Sequence, residues 1–416
     1  MKFAVPPSVQ HFSKQIRHLA TLNPVGSVVR SAAPGSFIGF LRRLGRGWLA
    51  CASLSAAGAP LSLDSSRAEG EFIGESAPLE SVSAVANTAM GEWLLAPIPT
   101  LAPGQGFGLQ VVAARIYHEP GAMDTTPATV VGVAGVYTQE KCFALGGGYL
   151  GHLRDDLWRL TLGGGYMRIN SKFYGIGSNA GSLGFSVPIE QRAAMGLGQL
   201  MRRVRPGLYV GLRTLAGKTE TTARVPVSAP ISLPELALKS DLLAAGPVMQ
   251  WDDRDSTFAP TKGTLLDLQL DVFAGSFHYR STTLAVNHYQ AVAGGVLAVR
   301  GYAQTIDGQA PFFALCSFGQ GSDLRGYTSG RYRDYAMAAA QAEYRWKLAS
   351  RWGLVAFAGA GKVGPSLGSL STSRLLSSLG AGVRFRLTEQ NPVNLRFDCA
   401  WGRDGGAIYF GVGEAF

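Results

Sequence analysis

The sequence is short of charge, of cysteine and of long apolar runs, and each shortage removes a class of protein. Only 16% of the 416 residues are charged and 46% are hydrophobic. Yet nowhere do about eighteen consecutive residues stay apolar enough for a membrane-spanning helix, so the sequence is not that of a helical membrane protein. The four cysteines, Cys51, Cys142, Cys316 and Cys399, form no C-x-x-C pair, and the six histidines show no H-E-x-x-H or H-x-x-x-H spacing. That argues against a zinc site, and cysteines scattered this way serve as small apolar fillers. Acid is missing altogether before Asp64, whereas Lys2, Lys14, Arg17, Arg30, Arg42, Arg43 and Arg46 precede it. Without those seven the formal charge of +10 falls to +3, so the basic balance belongs to the leading segment. It is no footprint of nucleic-acid binding.

What is abundant is glycine, with 54 residues. A glycine-rich, charge-poor chain without a spanning helix fits a transmembrane β-barrel, whose apolar signal sits on every second residue. A soluble all-β repeat protein is the competing reading. From Gly106 onward, runs of about 10–14 residues alternate with turn clusters, the spacing of barrel strands. Leu266, Leu268, Leu270 and Val272 share one face, and Asp267, Gln269 and Asp271 the other. The same alternation sets Ala342, Tyr344 and Trp346 against Gln341, Glu343 and Arg345, and Phe397, Cys399 and Trp401 against Arg396, Asp398 and Ala400. A charged face recurring beside an apolar face that bears aromatics fits a barrel with aromatic girdles. The expected fold is all-β, a transmembrane antiparallel β-barrel of about 16 strands, an even number being the rule for bacterial barrels.

Three segments are expected. Residues 1–59 are basic and end in the short apolar run Gly47–Ala57, the pattern of a secretory signal; a transit peptide and a lipid-attachment site at Cys51 are the rivals. Residues 60–105, rich in Ala, Ser, Glu and Pro, read as an extended or disordered linker or periplasmic tail, too short for a docking module with its own core. Residues 106–416 form the barrel. Clustered aspartates at Asp252, Asp253 and Asp255 read as a hairpin bonding its own amides rather than as a calcium loop. Gly364-Pro365-Ser366-Leu367-Gly368 satisfies G-x-S-x-G, but no helical periodicity follows it, so no enzymatic activity and no cofactor are expected.

Two stretches carry more specific chemistry. Residues 311–345 run from an apolar strand through a glycine-rich loop holding Leu324, Arg325, Gly326 and Tyr327 into an alternating strand. The chain ends on a strand-like run in which Phe410, Val412 and Phe416 share a face opposite Tyr409, with Glu414 on the apolar side. With both in view, the sequence resembles the barrel of the BamA/TamA family, also called bacterial surface antigens. The likeness is closest over residues 311–416 and extends through Lys172–Gly177 and Trp251–Gly263. Leu324-Arg325-Gly326-Tyr327 resembles the family's loop motif. The resemblance implies that this loop folds into the lumen and that its arginine meets an acidic wall. Glu343 is then the expected partner and Asp398 the runner-up, since both face inward by alternation. The family's F-x-D-x-G wall motif is present as Phe357-Ala358-Gly359-Ala360-Gly361, with glycine in place of the aspartate. Tyr409, Phe410, Val412 and Phe416 match the C-terminal signal by which outer-membrane barrels are recognised and inserted.

The resemblance further implies a location in the bacterial outer membrane, with an organellar outer membrane as the alternative. It implies a role in assembly and insertion of outer-membrane proteins or in polypeptide translocation, the alternative being a passive pore or structural barrel. Its partners would be the lipid bilayer, client outer-membrane or secreted polypeptides and a separate periplasmic partner, in place of POTRA docking modules.

Overall fold

A sheet whose strands are apolar on one face and polar on the other suits a bilayer only when it closes, because an open edge leaves backbone groups without partners in hydrocarbon. The computed structural model describes residues 87, 88, 91–102, 106–119, 121, 123, 126–183, 185–223, 236–319, 323–388 and 392–416. The expected signal segment and most of the expected linker lie outside the described residues.

Sixteen strands of eight or more residues form the barrel. The first eight are β1 (Gly91–Ala102), β2 (Gly106–Tyr117), β3 (Thr129–Thr138), β4 (Phe143–Leu153), β5 (Trp158–Phe173), β6 (Val187–Arg205), β7 (Leu208–Ala223) and β8 (Leu236–Asp252). They are followed by β9 (Gly263–Gly275), β10 (Tyr279–Val292), β11 (Gly295–Gly308), β12 (Ala336–Lys347), β13 (Trp352–Gly364), β14 (Leu376–Arg386), β15 (Asn394–Gly402) and β16 (Gly405–Val412). Each pairs antiparallel with the next. β16 lies beside β1, which nearly closes the ring. Among the described residues no residue-by-residue register runs along that last junction, so it is the seam of the barrel.

The two faces have the chemistry that the alternation requires. On β9 the outward Leu268, Leu270 and Val272 are exposed, whereas the inward Asp267, Gln269 and Asp271 are buried. Trp93, Trp346 and Trp352 stand outward at the mouth where β1 begins and β16 finishes, the near mouth. Phe107, Tyr137 and Trp401 stand outward at the opposite, far mouth. These are two aromatic girdles flanking an apolar band.

Two sequence expectations need correcting. The linker expected over 60–105 runs into the barrel, since Gly91–Ala102 is its first strand, paired with β2 throughout. Pro97 and Pro99 disguised it, because prolines at alternate positions read as breakers; on an edge strand they can keep the ladder on their other side. The chain end also departs from its expected face. β16 stops at Val412, Gly413 adopts φ +91°, and the last residues turn into the lumen. Glu414 therefore leaves the apolar face, and Phe416 is buried against Tyr289 and Ala298 of the inner wall.

Candidate functional site

The site is built where the segment between β11 and β12, described over residues 309–319 and 323–335, descends from the far mouth into the lumen. A 3-10 turn at Phe312–Ala314 and a two-residue ladder, Cys316–Ser317 with Arg333–Asp334, give it internal structure. Leu324 and Arg325 at its tip are wholly buried. The backbone turns at Gly326, whose φ of +100° favours glycine, and a Cβ there would meet the backbone of Trp401 and Gly402 at about 3 Å.

Arg325 reaches two strands at once. Its Nη2 donates to Glu343 Oε2 on β12 at 2.6 Å, and its Nη1 donates to Asp398 Oδ2 on β15 at 2.6 Å. Alternation offered these carboxylates as alternatives, and the guanidinium fork engages both. Its carbon lies 3.4 Å from the centre of the Phe357 ring, so the wall motif's aromatic stacks beneath the cation. Gln341 Oε1 accepts from the Arg325 backbone N–H and from Nε, both at 3.4 Å. Gly326 N–H donates to Tyr409 Oη at 2.7 Å, and Tyr327 Oη donates to the Ser377 carbonyl at 2.6 Å.

The glycine in the wall motif has a steric reason. A Cβ at Gly359 would lie 2.7 Å from Gln341 Cγ, 2.8 Å from Leu324 Cδ1 and 2.9 Å from the Ala340 carbonyl. At Gly361 it would lie 2.7 Å from the Phe318 ring. The loop lies directly on β13, which leaves no room for a carboxylate at position 359. The second acid comes instead from β15.

Sequence reasoning missed the rest of the network. Arg345 Nε donates to Glu343 Oε1 at 2.8 Å, and Arg384 donates to Asp398 at 2.5 Å and to Glu414 at 2.7 Å. Asn394 also donates to Glu414, and Arg345 to the Phe416 carbonyl at 2.9 Å. The chain end is thereby joined to the carboxylates that receive Arg325. Inward parity at Arg345 and Arg384 was a usable signal; Glu414 had none, because the turn at Gly413 broke the pattern. Of the residues matched to the C-terminal signal, Phe410 faces outward against Phe397, while Tyr409, Val412 and Phe416 are buried.

A second ionic cluster lies near the opposite wall. Asp156, in the β4–β5 turn, accepts from His152 Nδ1 at 2.8 Å, from Arg159 and from Tyr209. Arg159 continues to Asp252 at 2.9 Å and to Gln250. The clustered aspartates beyond it do bond their own turn: Asp255 accepts the Thr261 and Lys262 amides, and Asp253 the Thr264 amide. Ser366 of the G-x-S-x-G run exchanges hydrogen bonds with Ser369 in the loop between β13 and β14.

Residues 152–416 match the Omp85 superfamily domain, well over half of the chain. The chain belongs to the Omp85 superfamily. As an Omp85 barrel it is an outer-membrane protein. BamA from Haemophilus ducreyi lacking POTRA domains 1-3 is 14% identical over 76% of this chain and 68% of its own, with a TM-score of 0.49. CdiB from Acinetobacter baumannii is 13% identical over 77% of this chain and 59% of its own, at 0.49. CdiB from Escherichia coli is 13% identical over 76% of this chain and 61% of its own, at 0.52, which supports the common barrel fold. This Omp85 chain thus spans about three fifths of either CdiB chain. No curated protein matches the sequence.

Proposed function

We propose that this Omp85 barrel inserts or translocates polypeptides at the outer membrane, acting on client outer-membrane or secreted chains. The observation that carries the reading is the seam. Every other junction carries an antiparallel register along most of its length, with a break beside Pro247 between β8 and β9 and a shift at Arg203–Arg205 between β6 and β7, so β1–β16 is where the wall opens at least cost. The network around Arg325 supports it, since it fixes β12, β15 and the chain end together and leaves the seam as the compliant part. A separate periplasmic partner would deliver the client.

Depletion tests this reading. Loss of the protein should lower the outer-membrane level of at least one other barrel or secreted protein while inner-membrane proteins stay constant. Unchanged levels of all of them would overturn it. The second reading, a passive pore, is favoured by inward polar atoms that have no protein partner, among them Asp271 Oδ1, Tyr279 Oη and Thr221 Oγ1. It predicts steady ion conductance in planar bilayers and no client phenotype.

A further inference from the structure

The basic run Met201-Arg202-Arg203-Val204-Arg205 ends β6 at the near mouth, where the hairpin to β7 closes through Pro206 and Gly207. Strict alternation would send Arg202 outward and both Arg203 and Arg205 inward. The ladder to β7 shifts between Arg203 and Arg205, so Arg205 pairs with Leu208, which shares the outward face of Val210 and Leu212. Arg202 and Arg205 are thus both exposed on the outer side of the wall.

Each rests on a tryptophan of a nearby strand. The Arg202 guanidinium carbon lies 5.6 Å from the centre of the ring of Trp158, its register partner on β5, and that of Arg205 lies 5.6 Å from the Trp251 ring on β8. Among the described residues neither arginine has a carboxylate partner. The far ends of the same strands are built differently. There the outward cations of β6, β7 and β8 each hold an acid: Arg192 with Glu190 at 2.6 Å, Lys218 with Asp241 at 3.7 Å and Lys239 with Glu220 at 3.3 Å. One rim of this wall neutralises its own charge, and the other leaves two guanidinium groups for an anion from outside the chain.

Position says which anion. Val210 is the register partner of Arg202, and the next outward pair toward the middle of the wall, Leu200 and Leu212, is exposed and apolar. A ligand held by the arginines has that apolar surface directly beside it, at the tryptophan level where lipid headgroups meet water. A phosphodiester suits the guanidinium fork, whereas a zwitterionic headgroup would bring its ammonium against two cations. We infer that Arg202 and Arg205, supported by Trp158 and Trp251, form a site for the headgroup of an anionic phospholipid whose acyl chains lie over Leu200 and Leu212. The site does not depend on the insertion reading and would serve a passive pore equally.

Native mass spectrometry of the full protein in detergent tests this, with dioleoylphosphatidylglycerol and dioleoylphosphatidylethanolamine as probes. The unaltered protein should hold the phosphatidylglycerol roughly thirtyfold more tightly, the contribution of two interfacial arginines. Arg202→Gln/Arg205→Gln should lose that preference and Arg202→Lys/Arg205→Lys should keep most of it. Arg280→Gln, which removes an exposed charge at the far mouth, should leave it intact. Equal binding of the two lipids by the unaltered protein would overturn the inference whatever the variants do. Preference retained in the glutamine variant, lost in the lysine variant or lost in Arg280→Gln would overturn it as well. Displacement of the lipid by an equal concentration of inorganic phosphate or of an acidic peptide would assign the arginines to a soluble ligand and remove the bilayer from the proposal.

Discussion

At the scale of single residues, Arg325 concentrates the energetics of the lumen. A buried guanidinium is tolerated where carboxylates receive both arms, and removing it leaves Glu343 and Asp398 buried with less compensation. Arg325→Ala should therefore lower stability by on the order of 3 kcal/mol in urea titrations of the detergent-solubilised barrel. Arg280→Ala, at an exposed position, should change it by less than about 0.5 kcal/mol. Arg333, buried and bonded to the Phe312 and Gly330 carbonyls, should also lower stability when replaced by alanine. Gly359→Asp should also destabilise and raise proteolysis of the loop, because its Cβ would displace Leu324. A Gly359→Asp protein as stable as the parent would show that the loop does not rest on β13. That Arg325 would meet an inward acid was legible in the sequence through the resemblance of its loop motif, with the parity of Glu343 and Asp398 naming the candidates. Which acid was not, because β12 and β15 become neighbours of one arginine only after fourteen other strands have set the curvature of the ring.

At the scale of elements, the strands were legible and the ends and turns were not. Period-two alternation survives in β9, β12 and β15 because lipid and lumen demand opposite chemistry on opposite faces. It failed at β1, where Pro97 and Pro99 imitate a linker, and beyond Val412, where one glycine reverses the face. The segment 253–262 between β8 and β9 has no periodicity at all, yet Phe258 on it packs against inner-wall residues that include Leu94 and Val112. It is held in shape by Asp255. Partial burial raises that carboxyl, but hydrogen bonds from the Thr261 hydroxyl and the Thr261 and Lys262 amides outweigh it and leave the group below its ordinary value of 3.8. A depressed carboxylate stabilises the fold at neutral pH, and the contribution is lost as pH falls through the folded value. Amide exchange at Thr261 and Lys262, corrected for intrinsic rates, should accelerate only below about pH 4, and Asp255→Asn should abolish that dependence. Acceleration near pH 6 would assign the effect to another group.

At the scale of the whole molecule, obstructions stand at both mouths. At the far mouth the Gly177 amide donates to the Arg333 carbonyl, Arg331 to the Gly181 carbonyl, Arg374 to Ser182 and Tyr332 to Asp404, so loops from four hairpins are fastened together. At the near mouth Phe258 joins the apolar cluster of β1, β2, β3 and β16, and the chain end fills space beside Tyr289. Two obstructions in series each stand in the same path, so either one left in place still limits the current. Phe258→Ser alone should then leave conductance in planar bilayers close to that of the parent, and so should Arg331→Ala/Tyr332→Ala alone. The three substitutions together should raise it by more than the sum of the separate changes, the non-additivity expected of coupled elements. Full opening by either variant on its own would show that one mouth is already open, and would favour the passive-pore reading over a barrel that opens at its seam.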